Sequence, residues 1–239
     1  MGVKVTRVYK FLSSDLALWD LRNRKIKIST FQDMNDPFEI LGGHRSDPQL
    51  VAARTTLVAL LNDWCGVLCF SRDWQDAMLW SHYADKHKGI CIGLDVKVGK
   101  NLELKEPHYV VKRPDFDADM SALLAVASQV NDLKPSDFHA CTAVMERMLL
   151  TKFSAWHYEN EARCFVEMVP EQRRGSLYFA QLDEDIQPRM IILGPRCSTP
   201  AEEIQAAICG YSPPVAVVRT MLSPDSFQVI EDAIGSGRA

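Results

Sequence analysis

Apolar and polar positions alternate from the first residues: Val5, Arg7 and Tyr9 fall two apart before Phe11 and Leu12, predicting a strand over residues 5–11. Ser13 or Ser14 then offers a cap for a helix carrying Leu16, Trp19 and Leu21. Lys25–Thr30 alternates again, with Ile26 and Ile28 on one face of a half-buried second strand. A loop ending in Gly42-Gly43 leads to Asp47-Pro48, a cap and first-turn proline for a helix reaching about Asp63. Gly66–Ser71 is apolar enough for a buried strand. Asp76–Lys88 fits a helix closed by Gly89 in the left-handed conformation, and Gly89–Asp95 a further strand. One strand is expected around His108–Lys112. Two helices, broken at Lys134-Pro135-Ser136, are expected between Asp115 and Phe153. A turn and strand then run through Trp156–Val169, followed by strands at 176–182, 189–193 and 215–222, with a short helix over Thr199–Cys209 before the last of these. Strands cluster at both ends and helices in the middle. This predicts an α+β fold: one domain over residues 1–239, with a mixed or antiparallel central sheet, flanking helices, and residues 114–153 as a helical insertion.

Composition narrows the function classes. The chain has 239 residues, 27 Lys and Arg against 31 Asp and Glu, and a formal charge of -4, so no broad nucleic-acid surface is expected. Its seven cysteines are odd in number and form no C-x-x-C pair, which argues against a disulfide framework or a zinc ribbon. The opening MGVKVTRVYKF has no long apolar run, and no stretch reaches the roughly 18 apolar residues that cross a bilayer. Cytoplasmic residence without a membrane partner is the expectation. No G-x-x-x-x-G-K-[ST], G-x-G-x-x-G or G-x-S-x-G motif is present.

Three constellations carry candidate chemistry. Asn35, Asp36, Pro37 and Glu39 make a rigid turn, because Asn and Asp bond their own downstream backbone and proline fixes φ; it serves either as structure or as a ligand loop. On one helical face Trp80, Tyr83, Ala84 and His87 would share a stripe, either as core or as a ligand surface, while His82 points away. The two histidines are five apart, a poor spacing for one metal, and no metal site is expected. In an extended Trp156–Arg163 segment, Glu159, Glu161 and Arg163 would share a face. That face is either solvated or, because the strand runs straight into an apolar segment, a functional site.

Together these segments resemble a bacterial domain family of unknown function. They are Tyr9-Lys10-Phe11, the N-D-P-F-E turn, Cys69-Phe70-Ser71, the W-S-H-Y-A-x-x-H-x-G-I-C-I run from Trp80 to Ile92, and W-x-Y-E-x-E-x-R from Trp156 to Arg163. The resemblance spans residues 7–167 and brings no activity with it. Some relatives sit in phage-defence or toxin–antitoxin settings, which implies a protein target or a cognate neighbour protein as partner.

The chain also resembles ADP-ribosyltransferases of the toxin type, which would supply chemistry. That resemblance implies NAD as substrate, a nucleotide-like ligand, and Arg7 or Lys10 on phosphate or ribose. It places Ser29 and Thr30 in the serine–threonine motif, with Phe31 where its third residue would stand and Ser71 as the competing position. Glu161 becomes the catalytic carboxylate, with Glu159 beside it. Tyr83 or Trp80 would stack on nicotinamide, and His87 and Arg163 would complete the site. Two other classes stay open: a hydrolase or nuclease using Asp36, Glu39, Glu159 and Glu161, with or without a divalent cation, and a non-catalytic binding module.

Overall fold

The computed structural model describes residues 4–36, 38–39, 65–99, 102–119, 121–122 and 146–233, together with isolated helical positions at 48, 51–52, 55, 59 and 62. Most of the helix expected over 47–63, the Gly42-Gly43 loop, Pro37, and the centre of the 114–153 insertion lie outside the described residues.

Strand β1 (Lys4–Leu12) leads into helix α1 (Ser14–Asn23), and Arg24, in the left-handed conformation at φ 51°, turns the chain back into β2 (Lys25–Ile28). Then come β3 (Cys65–Ser71), α2 (Ala77–Tyr83), β4 (Ile90–Val98), β5 (His108–Val110) and β6 (Thr151–Phe153). After β7 (Glu161–Glu167) follow β8 (Arg173–Arg174), β9 (Leu177–Gln181), β10 (Ile186–Leu193), α3 (Ala201–Ile208), β11 (Ala216–Leu222) and β12 (Val229–Glu231). Seven strands form the main sheet in the order β12-β11-β10-β4-β1-β3-β7. Only β10 and β11 run parallel among its neighbours, so the sheet is mixed and the fold α+β, as the element pattern predicts. A three-stranded sheet, β2-β9-β8, joins it through the Ser29–Val67 bridge.

Side-chain alternation gives the sheet two apolar faces. Val8, Leu68, Phe70, Ile92 and Leu94 face one way and pack with Leu18 and Leu21 of α1 and Ile204 and Ile208 of α3. Phe11, Cys91 and Ile192 face the other way against Leu79 and Trp80 of α2. The Trp80 indole is fully buried, edge-on to Phe11 at 5.2 Å between ring centres, and donates its Nε1–H to the Trp74 carbonyl.

Three expectations change. Helix α2 ends at Tyr83 rather than Lys88, because Asp85, Lys86 and His87 all adopt positive φ and close the helix themselves. Gly89 is therefore not the left-handed terminator. It is needed because a Cβ there would stand 2.1 Å from the Leu12 carbonyl oxygen. The 115–153 segment is helical at residues 117–119, 121–122 and 146–149, but 151–153 form β6, a parallel partner of β5. The two-residue β8 and three-residue β12 are too short to leave an alternation signal.

Gly89→Ala forces either β1 or the α2 turn to move, so it lowers unfolding free energy by about 3 kcal/mol, the upper end of overpacking costs. Urea unfolding of the variant measures this, and an unchanged midpoint contradicts the close approach.

Candidate functional site

Strand β1 pairs with β4 along its whole length but meets β3 only at Tyr9–Ser71. The sheet splits at that point, and a cavity of about 420 Å³ occupies the split. From β1 it is lined by Tyr9 and Lys10; from the turn after β2 by Ser29, Asn35, Asp36 and Glu39; from β3 by Cys69 and Ser71; and from α2 by Tyr83. Lys152, Trp156, Glu159, Glu161 and Arg163 close it.

The floor comes from β7 and its approach. On β7 Ala162 and Cys164 enter the core, which turns Glu161 and Arg163 to the opposite face, opposite Ser71 and Cys69 of β3. Glu159 is not on this strand, contrary to the extended segment expected. It ends a 3-10 helix over Ser154–Glu159, and Asn160 at φ 43° reverses the backbone between them. Asparagine tolerates that left-handed conformation. The reversal brings Glu159 and Glu161 onto one ammonium, that of Lys152, whose Nζ contacts Glu159 Oε2, Glu161 Oε2 at 2.7 Å and Glu39 Oε1 at 3.4 Å. Arg163 Nε donates to Glu161 Oε1 at 2.9 Å, while its Nη2 donates to Glu161 Oε2 at 3.0 Å and Glu39 Oε2 at 2.5 Å. Its Nη1 donates to the Leu149 carbonyl at 2.6 Å. The Tyr83 hydroxyl donates to Glu159 Oε1 at 2.5 Å, and the Tyr109 hydroxyl accepts the Glu161 N–H at 3.3 Å. All five charged residues are buried, Arg163 to 1% exposure.

Electrostatics follows from this packing. Burial alone would raise the Glu161 carboxyl, but Arg163 and then Lys152 hold it down at about 2. Glu39 behaves oppositely: its burial wins over the same two cations and raises its carboxyl above the ordinary value. Burial would lower Lys152, yet Glu161, Glu39 and Glu159 keep it firmly protonated. The Cys69 thiol is pushed up to about 12, first by burial and then by Glu161, so it is no ready nucleophile. Lys10 reaches into the split and donates to the Cys69 carbonyl at 3.1 Å.

The structure thus brings together Lys10, Ser29, Asn35, Asp36, Glu39, Ser71, Tyr83, Glu159, Glu161 and Arg163. Within the turn, Asp36 Oδ1 accepts the Phe38 N–H at 2.9 Å, the backbone bond its residue type favours. Four other candidates stand elsewhere. Arg7 points to the opposite face from Lys10 and pairs with Asp95 at 2.5 Å. Thr30 caps the short 3-10 turn over Phe31–Asp33. Trp80 is locked in the core and offers no stacking face. His87 lies in the turn after α2, outside the helical stripe, where its carbonyl accepts the Arg196 N–H. His82 is the histidine nearer the cavity wall, with its Nδ1 3.0 Å from the Tyr158 hydroxyl. The sequence pattern singles out neither Lys152 nor Tyr109, and it gives Trp156 no role beyond its place in the W-x-Y-E-x-E-x-R motif. The available signal was Thr151-Lys152-Phe153, whose middle residue turns inward on a strand read as helix. Among the described residues no group of three or more His, Cys, Asp or Glu side chains is arranged to hold a metal ion.

The sign of the pH dependence follows from Glu161. Its folded value lies below its ordinary 4.5, so its contribution to stability is present above pH 4.5 and is lost as pH falls toward about 2. Glu39 acts in the other direction, its share fading as pH rises through its elevated folded value. Urea titrations should show unfolding free energy dropping between pH 4.5 and about 2. Glu161→Gln removes that limb and costs about 3–5 kcal/mol at neutral pH, because Lys152 and Arg163 lose a buried partner. An acid limb that survives the substitution assigns it to other carboxylates.

Residues 79–164, from α2 into β7, match the family described as "Protein of unknown function (DUF2971)". The match bears out, over those residues, the resemblance to an uncharacterised family. It includes Tyr83, Lys152, Trp156, Glu159, Glu161 and Arg163, and it leaves out Lys10, Ser29 and Glu39. No curated protein and no solved structure matches this chain, so the resemblance to ADP-ribosyltransferases gains no support from either comparison.

Proposed function

We propose that the split between β1 and β3 is the active site of an enzyme that breaks the nicotinamide glycosidic bond of NAD, in the manner of an ADP-ribosyltransferase. The observation that carries this reading is the convergence of Lys10, Ser29, Tyr83 and Glu161 on one cavity. These residues come from β1, the end of β2, α2 and β7, segments that share no local sequence signal.

The chemistry suits the electrostatics. As the bond between the ribose C1′ and the nicotinamide nitrogen breaks, its electron pair leaves with nicotinamide and positive charge develops on the sugar. A carboxylate fixed as an anion stabilises that charge without reorganising at the moment of reaction. Glu161, held ionised by Arg163 and Lys152, is such a group. In this reading Lys10 binds phosphate and Ser29 bonds the sugar. The acceptor, either water or a side chain of a protein target, forms the new bond to C1′ and releases its proton to solvent. A metal-dependent hydrolase is less well served, because Glu39, Glu159 and Glu161 converge on two side-chain cations where a metal ion would need to sit.

The test is the melting temperature with and without NAD, followed by chromatography of released nicotinamide. NAD is expected to raise the melting temperature of the parent protein and of Glu161→Gln, whereas nicotinamide release falls at least about a hundredfold in the variant, the loss of one main transition-state contact. Lys10→Ala should weaken NAD binding while leaving the buried charge network intact. Neither stabilisation nor release in the parent protein refutes the reading. Stabilisation by a divalent cation that Asp36→Asn abolishes would favour the hydrolase, and a co-purifying neighbour protein without NAD turnover would favour the binding module.

A further inference from the structure

The rim of the cavity carries an aromatic cluster that the proposed reaction does not use. Trp156 is packed with Tyr158 and His82, with ring centres 6.0 Å apart for Trp156–Tyr158, 6.5 Å for His82–Trp156 and 5.9 Å for His82–Tyr158. The Tyr158–His82 hydrogen bond and the edge-on contacts fix these rings, so little ordering remains to be done when a ligand arrives. Of the three, Trp156 lines the cavity. Lys152 sits over its ring at 5.5 Å from the centre and ties it to the charged floor. Trp156 is only partly buried, and an accessible aromatic face is a platform on which a planar ring stacks.

We infer that Trp156, flanked by Tyr158 and His82, is a stacking subsite for the planar heteroaromatic ring of a nucleotide. The inference rests on reading the cavity as a nucleotide site. The floor offers carboxylates, which suit ribose hydroxyls, and Lys10 on the side wall offers a cation, which suits phosphate. The rim offers π surface, which suits a base. A nucleotide carries both halves in one molecule. The shared chemistry is the ring, and adenine and nicotinamide are its two sources within a dinucleotide.

Calorimetric titration with AMP, nicotinamide mononucleotide and ribose 5-phosphate separates the possibilities. At least one of the two ring-bearing ligands should bind the parent protein, and whichever binds more tightly names the ring. Trp156→Ala should weaken that ligand about 5- to 100-fold, the range for one base–aromatic stack, and leave ribose 5-phosphate unchanged. Trp156→Phe should keep the affinity within about threefold, because an aromatic face remains, but lose the ligand-dependent quenching of tryptophan fluorescence. Equal weakening of all three ligands would mean that Trp156 only supports the floor. That result, no binding of either ring-bearing ligand, or undiminished binding in Trp156→Ala overturns the subsite. The outcomes stay separate from the reaction: AMP bound through Trp156 with NAD left intact keeps the subsite and removes the transferase. NAD turned over with unchanged affinity in Trp156→Ala does the reverse.

Discussion

Five buried charges, Glu39, Lys152, Glu159, Glu161 and Arg163, set the terms for everything around them. Each ion loses its water at a cost of several kcal/mol, and only mutual neutralisation at hydrogen-bond distance offsets that loss. The fold therefore has to deliver five side chains from separate stretches of chain to one point: the turn after β2, β6, the 3-10 helix before β7, and β7 itself. The parallel pairing of β5 with β6 and the left-handed Asn160 help deliver them. Apolar residues of similar volume would hold the same space with less to go wrong. A network of this kind in the floor of a cavity is better understood as a preset electrostatic environment than as a source of stability.

The split sheet is the complement of the network. Where β1 leaves β3 after a single pair, the Lys10 ammonium donates to the Cys69 carbonyl of β3 beside the cavity. Beyond the split the sheet is ordinary: β1 and β4 pair over nine residues and bury apolar rows on both faces. The residues that line the opening are positioned by strands whose other faces are core.

Much of this was legible in the sequence. The alternation in β1, β2 and β7, the apolar run of β3 and the capping Asp76 of α2 all mark real elements, because each is a local pattern with a local cause. Glu159 and Glu161 could be singled out because carboxylates brought next to an apolar run are often functional, and Glu39 because it belongs to the rigid N-D-P-F-E turn. Lys152 could not. Its neighbours read as helix, and what turns it inward is pairing with β5, more than 40 residues earlier in the chain. Trp80 and His87 show the opposite failure. Their spacing predicts a shared helical face, but three consecutive positive-φ residues end the helix before His87, and the core takes Trp80. Helical periodicity reports which residues would share a face, not how far the helix runs.

The network also restricts which chemistry the cavity can perform. A carboxyl held at about 2 carries no proton to give near neutrality, so Glu161 cannot serve as a general acid. Lys152, surrounded by three carboxylates, gives up its proton no more easily. Cys69, pushed up to about 12, is not a thiolate. Glu39, whose carboxyl burial raises, is tied to Arg163 and Lys152, so the floor presents three carboxylates against two cations, in a cavity lined also by Trp156 and by Lys10 on its side wall. A reaction that needs a strong acid for its leaving group is poorly matched to such a site. One whose leaving group departs unassisted, as a neutral heteroaromatic base does from a cationic glycoside, needs only the charge stabilisation that these residues supply. On that ground the proposed reaction and the proposed stacking subsite require the same kind of substrate.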